Sequence, residues 1–194
     1  VMPDAQITSS LRHDHPLLIN TVNHRHCAEG QKCQADGVSF EILHPAVEAM
    51  GGGKSHDNEL SCVLRISIGT QHVLLVGDIE KHSEARLLQH HADKLQSTLL
   101  VAPHHGSKSS SSQAFVEAVA PRFVIYSTGY RNRFHHPHPE IVKRYSDQGV
   151  EAMRSDEDGA ILIDMNAEGV QVERYRKTHR RYWSHNALAV ATSG

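Results

Sequence analysis

Apolar and polar positions along this chain fall into short, sharply bounded blocks. VSFEILHP alternates apolar and polar side chains, the period of a half-buried strand, and stops at Pro45. SCVLRISIG and HVLLVGD predict two more strands joined by a tight turn at Gly69-Thr70. Residues 79–95 change to helical spacing, with Ile79, Ala85, Leu87, Leu88, Ala92 and Leu95 set among charged neighbours. Residues 98–102 read as a short buried strand running straight into the polar loop PHHGSKSSSS. Residues 113–119 predict a helix ended by Pro121, and 122–127 predict another strand. The loop TGYRNRFHHPHPE and a helix over 139–148 follow. Strand-like pieces at 150–154, 160–164 and 170–176, with turns at DEDG and NAEG, close the pattern. GGGKSHDNE is a glycine-rich polar loop, and residues 1–37 carry no clear period and read as irregular.

Strands alternating with helices argue for an α/β fold. The 194 residues, with no internal repeat and no linker, fit a single domain. Residues 177–194 read as a flexible tail. Apolar residues make up 39% of the chain, enough to close a core. The longest apolar runs are of the size of VLLV and LLVA, far short of the roughly 20 residues of a membrane span. The start, VMPDAQITSS, has neither the basic flank nor the apolar stretch of a signal peptide. It also lacks an initiating Met, so a piece of a longer protein is expected.

A net charge of −2 excludes a global basic field for nucleic acid but leaves room for a local basic stripe. Three cysteines are an odd number. Cys27 and Cys33 could form a disulfide, half a metal site, or nothing beyond two thiols; their spacing is not that of a zinc ribbon. The redox compartment stays open at this point.

The chemistry concentrates at strand ends. Gly77-Asp78 follows VLLV, His104-His105-Gly106-Ser107 follows LLVAP, and His135, His136 and His138 lie downstream of FVIYS. Ligand-binding loops of α/β folds converge at the carboxyl ends of strands. Imidazole and carboxylate together suit zinc or manganese, and a pair of such ions can activate a water and clamp a phosphodiester. Each residue also has a plainer reading. Asp78 could cap the following helix, and His104 and His105 could form an exposed turn. Ser109–Ser112 could be a helix cap, and His136-Pro137-His138 a rigid turn. The 17 histidines are uneven. HDH at 13–15 and HRH at 24–26 would chelate only if extended, whereas His82, His90 and His91 read as the surface of a helix.

VLLVGDIE, LLVAPHHGSKSSSS and HHPHPEIVKRYSDQGV, in that order, resemble the metallo-β-lactamase-type domain of the ComEC family of DNA-internalisation competence proteins. DNELSCVLRI also resembles that family's Asn-x-x-Ser strand start, with Asn58 and Ser61 in its places. The resemblance covers roughly residues 38–165. It implies an αββα sandwich with a divalent metal site, zinc or manganese, at one edge of the sheets. It assigns metal ligation to Asp78 together with His104 or His105, catalytic roles to Asp78, His105 and His138, and substrate contact to Asn58, Ser107, Lys108, Ser109 and His136. The implied function is hydrolysis of DNA phosphodiesters on the strand that is not taken up. The implied setting is a bacterial inner-membrane protein, with this domain on the periplasmic side and the rest of the channel as its partner.

One departure matters. That superfamily draws its main ligands from an H-x-H-x-D-H cluster after a strand, and neither HDH nor HRH has that spacing. The expectation is a C-terminal part of the domain, with the missing ligands just upstream. Such a piece would bind metal weakly, show little hydrolysis, and leave an unpaired sheet edge that favours self-association. The alternative is a catalytically dead module that holds single-stranded DNA or a partner through GYRNRF and RYRKTHRRYW, whose Arg, Tyr and Trp suit phosphate contact and base stacking. Small-molecule hydrolysis on the same scaffold is a third reading.

Overall fold

A computed structural model describes residues 7–11, 15–18, 23–47 and 57–179. Its largest element is a seven-stranded sheet in the order β3-β4-β5-β6-β7-β8-β9. The strands are β3 (Lys32–Ala35), β4 (Val38–His44), β5 (Val63–Ile68), β6 (Gln71–Leu75), β7 (Leu99–Val101), β8 (Phe123–Tyr126) and β9 (Glu151–Arg154). β3 to β6 form an antiparallel meander, while β6 to β9 run parallel. The parallel steps need crossovers, supplied by helices α1 (Lys81–Leu95), α2 (Gln113–Val119) and α3 (Pro139–Ser146).

Alternation along the parallel strands separates two cores. Leu74, Leu100, Val124 and Tyr126 face one way and pack with Leu87 and Leu95 of α1, Phe115 and Val116 of α2, and Ile141 and Tyr145 of α3. Val73, Leu99, Phe123, Ile125 and Met153 face the other way, toward Val170 and Val172. Those two belong to an antiparallel hairpin of β10 (Ile161–Asn166) and β11 (Gly169–Arg174). FVIY is therefore buried along its whole length, as a parallel strand covered on both faces must be. The fold is thus mixed α/β, with helices on one face of the sheet and a hairpin on the other. Among the described residues that hairpin is what packs on the second face of the sheet. The short helices α4 (Ser155–Asp158) and α5 (Tyr175–Thr178) flank that hairpin.

The elements predicted from residue 38 onward are found within a few residues of their expected ends. The amino-terminal part corrects the expectation of irregular chain. Ile7–Ser9 (β1) and His24–His26 (β2) pair in parallel, and β3 pairs with β4 across Asp36-Gly37. Both turn residues have positive φ, 49° and 80°. That is the geometry of a two-residue hairpin turn, for which Asp-Gly is a preferred pair. All four residues of β3 are exposed at the sheet edge. The expected tail lies from residue 180 onward outside the described residues. No helix among the described residues is long and apolar enough to cross a membrane.

The alternatives left open for Cys27 and Cys33 resolve into neither a bond between them nor two free thiols. Cys27 bonds Cys62, with Cα atoms 6.0 Å apart, and Cys33 is free and exposed. Cys27 is fully buried against the chain leading into β5, whereas Cys33 sits on the edge strand β3. The bond closes a 35-residue separation and ties the segment before β3 to the segment that enters β5. Replacing Cys27 and Cys62 by alanine is expected to cost about 2–4 kcal/mol of unfolding free energy in a urea titration. An unchanged midpoint would contradict the pairing.

Candidate functional site

Three loops leave the carboxyl ends of β6, β7 and β8 and bond to one another through their backbones. His104 N–H donates to Gly77 O (3.0 Å), His138 N–H to Gly106 O (2.9 Å) and Lys81 N–H to Ser109 O (3.1 Å). The middle loop turns left-handed through three successive residues, His104 (φ 46°), His105 (φ 57°) and Gly106 (φ 81°). Left-handed backbone costs a residue with a Cβ roughly 1–2 kcal/mol. Two consecutive histidines held there are a local strain that the surrounding bonds maintain.

Glycine is needed at two points of this construction. A Cβ on Gly77 would stand 2.9 Å from Ser61 Cβ. One on Gly106 would stand 2.7 Å from Pro137 Cβ and 2.9 Å from the Tyr126 ring. Gly106 thus lets the His104-His105 turn lie directly on the His136-Pro137-His138 loop.

The result is a cluster of facing side chains. His105 Nε2 lies 3.4 Å from Asp78 Oδ1, and both side chains are about two-fifths exposed, at 45% and 41%. His104 Nδ1 lies 3.1 Å from Glu80 Oε1 and 3.4 Å from Ser109 Oγ. The His136 ring lies 5.9 Å from the His104 ring. Burial, and then the neighbouring His104, His105 and His138, hold the His136 imidazole below its ordinary pKa, so its neutral form is favoured. His138 Nδ1 accepts from Glu140 N–H (3.3 Å) and caps α3. Asp78 is not a helix cap: α1 begins at Lys81 with Glu80 at the cap position, and the Asp78 carboxylate faces His105 instead.

The base of the site is built from Asn58 and Ser61. Ser61 N–H donates to Asn58 O (3.1 Å), and Ser61 Oγ accepts from Asp78 N–H (3.1 Å). Neighbouring Glu59 takes the Ser83 N–H and hydroxyl, and its carbonyl takes buried His44 Nε2–H at 2.8 Å. Asn58 therefore acts on Asp78 through the backbone of its strand start.

The serine run divides. Ser107 and Ser109 bond each other through their hydroxyls (3.1 Å) on the site side. Ser110 and Ser111 are fully buried. Ser110 Oγ closes onto Pro103 O, and Ser111 Oγ accepts from Tyr145. Lys108 reaches Glu140 at 3.5 Å with its side chain two-thirds exposed.

Two carboxylates escaped the sequence reading. Glu80 stands two residues after Asp78, in the same GDIE stretch, and pairs with His104. Glu84 is wholly buried and accepts the Ser111 and Ser112 backbone N–H groups at the start of α2, while burial pushes its carboxyl pKa up. GDIE offered a signal for the first; nothing in the sequence pointed to the second.

HRH forms β2 well away from this edge in sequence. Its two rings meet edge to face at 5.1 Å, and His24 bonds Ser9 Oγ. His13 and Asp14 lie outside the described residues. His82 and His90 are exposed as expected, but His91 is half-buried against Glu29 at 2.9 Å.

Among the described residues no three His, Cys, Asp or Glu side chains converge to hold a metal ion. Asp78 and His105 offer one carboxylate and one imidazole, where catalytic zinc uses about three protein ligands. The donor chemistry fits one side of such a centre and does not close it. Gly106→Ala is expected to separate the two histidine loops and to cost at least about 2 kcal/mol in chemical denaturation, from the left-handed φ and the contact with Pro137. Native stability in that variant would show that the loops are not locked as described.

No protein-family model matches the chain. It is 38% identical to Competence protein ComA of Neisseria gonorrhoeae over 159 residues, 82% of this chain and 22% of that protein. It is 29% identical to the YcaI protein of Escherichia coli over 93% of this chain and 24% of that one. It is likewise 29% identical to ComE operon protein 3 of Bacillus subtilis over 68% of this chain and 16% of that one. The chain thus spans less than a quarter of the length of each of these relatives. Among solved structures, it aligns with the metallo-β-lactamase fold protein YhfI of Bacillus subtilis at a TM-score of 0.39 and 11% identity, covering 78% of this chain and 56% of that one. It also aligns with CmlA, a diiron β-hydroxylase from Streptomyces venezuelae, at a TM-score of 0.45 and 12% identity, covering 78% and 34%. By its likeness to the competence proteins over most of its length, the chain belongs to the ComEC family and corresponds to its metallo-β-lactamase-type domain.

Proposed function

We propose that this chain is part of a divalent-metal-dependent DNA phosphodiesterase within a competence DNA-uptake protein, acting on the strand that is not transported. The observation that carries the reading is the placement of Asp78 against His105 at the carboxyl edge of the parallel strands, with His104, His136 and His138 on the adjoining loops. Asp78 and one of His104 and His105 would hold the zinc or manganese ion, with the remaining ligands supplied from outside the described residues. The chemistry supplied on metal binding would be activation of a water and neutralisation of phosphodiester charge.

The chain's own residues have the following parts in this reading. His105 faces the Asp78 carboxylate at 3.4 Å, so one imidazole and one carboxylate are presented together at the edge. His136, kept neutral by its surroundings, is suited to accept or donate a hydrogen bond at a phosphate oxygen. His138 sits at the start of α3 on the same side and serves as the proton donor. Ser107, Ser109 and Lys108 line the approach, with Asn58 behind Asp78. The Cys27–Cys62 disulfide favours an oxidising compartment, which supports the periplasmic side of the inner membrane. Partners in this reading are DNA, the remainder of the membrane channel and, through the exposed edge strand β3, a second copy.

A second reading has one specific observation behind it. Among the described residues the donors at the edge meet in pairs, Asp78 with His105 and Glu80 with His104, and no three converge, which is also what a catalytically dead DNA- or partner-binding module would show. The test is nuclease activity of the full-length parent in manganese or zinc, with Asp78→Ala beside it. The first reading expects metal-dependent cleavage and a loss of at least about a hundredfold in the variant. No cleavage by the parent, or cleavage indifferent to Asp78, would favour the second. The 194-residue chain alone is expected to bind metal weakly in a calorimetric titration. A tight, stoichiometric two-metal isotherm would contradict that.

A further inference from the structure

The two basic stretches of this chain behave differently in the fold. The arginines of RYRKTH are engaged: Arg174 meets Glu151 and Asp158, Lys177 meets Asp158, and Arg176 bonds the Asp156 and Glu157 carbonyls. GYRNRF is not neutralised in this way. Among the described residues, Arg131 and Arg133 pair with no carboxylate, and both are exposed. Each lies over an aromatic ring instead, Arg131 over Tyr130 at 5.2 Å and Arg133 over Phe134 at 4.8 Å. Those rings are themselves 66% and 63% exposed.

The loop that carries them is built rather than loose. Asn132 spans it with both ends of its side-chain amide, donating to His136 O and accepting from His136 N–H, each at 2.8 Å. Asn132 N–H donates to Gly129 O, and His135 N–H donates to Asn132 O, both at 3.2 Å. Arg131 and His135 turn left-handed to make the bend, at φ 52° and 55°. From its tip, a line of rings runs to the candidate site. Phe134 stacks on His136 with centroids 5.9 Å apart and planes 16° apart, and His136 lies 5.9 Å from His104.

We propose that the 129–136 loop is a base-stacking platform that holds single-stranded nucleic acid and leads its backbone to the Asp78–His105 edge. Exposed ring faces stack only on bases whose own faces are free, which unpaired bases offer and duplex bases do not. Arg131 and Arg133 add charge for the phosphates beside those bases. Duplex, with its stacked bases covered by their neighbours, would meet only the arginines. The proposal gives the DNA reading a preference for single strand and names the residues that make it, and it rests on that reading.

The test is fluorescence anisotropy of this chain, in metal-free buffer, with a short labelled oligothymidylate, its abasic analogue of equal phosphate count, and a duplex of equal length. The expected order is tight binding to oligothymidylate and at least about tenfold weaker binding to the other two. Tyr130→Ala combined with Phe134→Ala is expected to abolish the advantage over the abasic strand. Tyr130→Phe is expected to keep it. Both rings are exposed, so neither change threatens the fold. Equal affinity for the abasic strand or the duplex would overturn the platform, as would a double variant that binds oligothymidylate like the parent. Because the readout needs neither metal nor cleavage, that failure would leave Asp78-dependent hydrolysis standing, and absent hydrolysis would leave a positive stacking result standing.

Discussion

Backbone hydrogen bonds between neighbouring strand-end loops are the constraint on which this molecule's site depends. Parallel strands β6, β7 and β8 deliver three loops to one edge, but adjacency alone would leave each loop free to turn outward. His104 N–H on Gly77 O and His138 N–H on Gly106 O fasten the loops together, and the left-handed His104-His105-Gly106 turn follows from that fastening. Asp78 then faces His105, and the His136 ring faces that of His104. The local backbone cost of two left-handed histidines is offset by the sheet, helices and buried polar groups around them.

Those buried groups explain why the serine run matters. Glu84 of α1 takes the backbone N–H groups that open α2, and Tyr145 of α3 donates to Ser111. One carboxylate and one phenol thus connect the three helices beneath the site. Ser110 completes the support by closing onto Pro103, next to the left-handed turn. On the other side, the Cys27–Cys62 bond and the Glu59 contacts hold the strand start that carries Asn58 and Ser61, and Ser61 receives the Asp78 backbone. The polar face of the site is therefore held from below by groups that never reach it.

Much of this was legible from residue order. Alternation and continuous apolar runs located the sheet strands from residue 38 onward, because a parallel strand buried on both faces has no polar position to blur it. The three strand-end clusters were legible as well, since chain topology brings loops after successive parallel strands to one edge. Other features were not. The β3–β4 hairpin carried a readable Asp36-Gly37 signal, but its first strand is wholly exposed and lacks apolar alternation. The partner of Cys27 depended on a fold that brings residue 62 beside it, which spacing cannot express. Asp78 looked equally like a helix cap, and only the later start of α1 separated the two roles. Glu84 was hidden because a buried carboxylate that binds backbone amides reads in sequence as one more charge on a helix.

Paramagnetic broadening of the histidine ring signals by manganese tests the central claim most directly. If the interlocked loops present part of an ion site, the His104 and His105 rings broaden first as manganese is added, His136 follows, and the exposed helix histidines His82 and His90 broaden last. Uniform broadening, or broadening that begins at His82 and His90, would contradict the account.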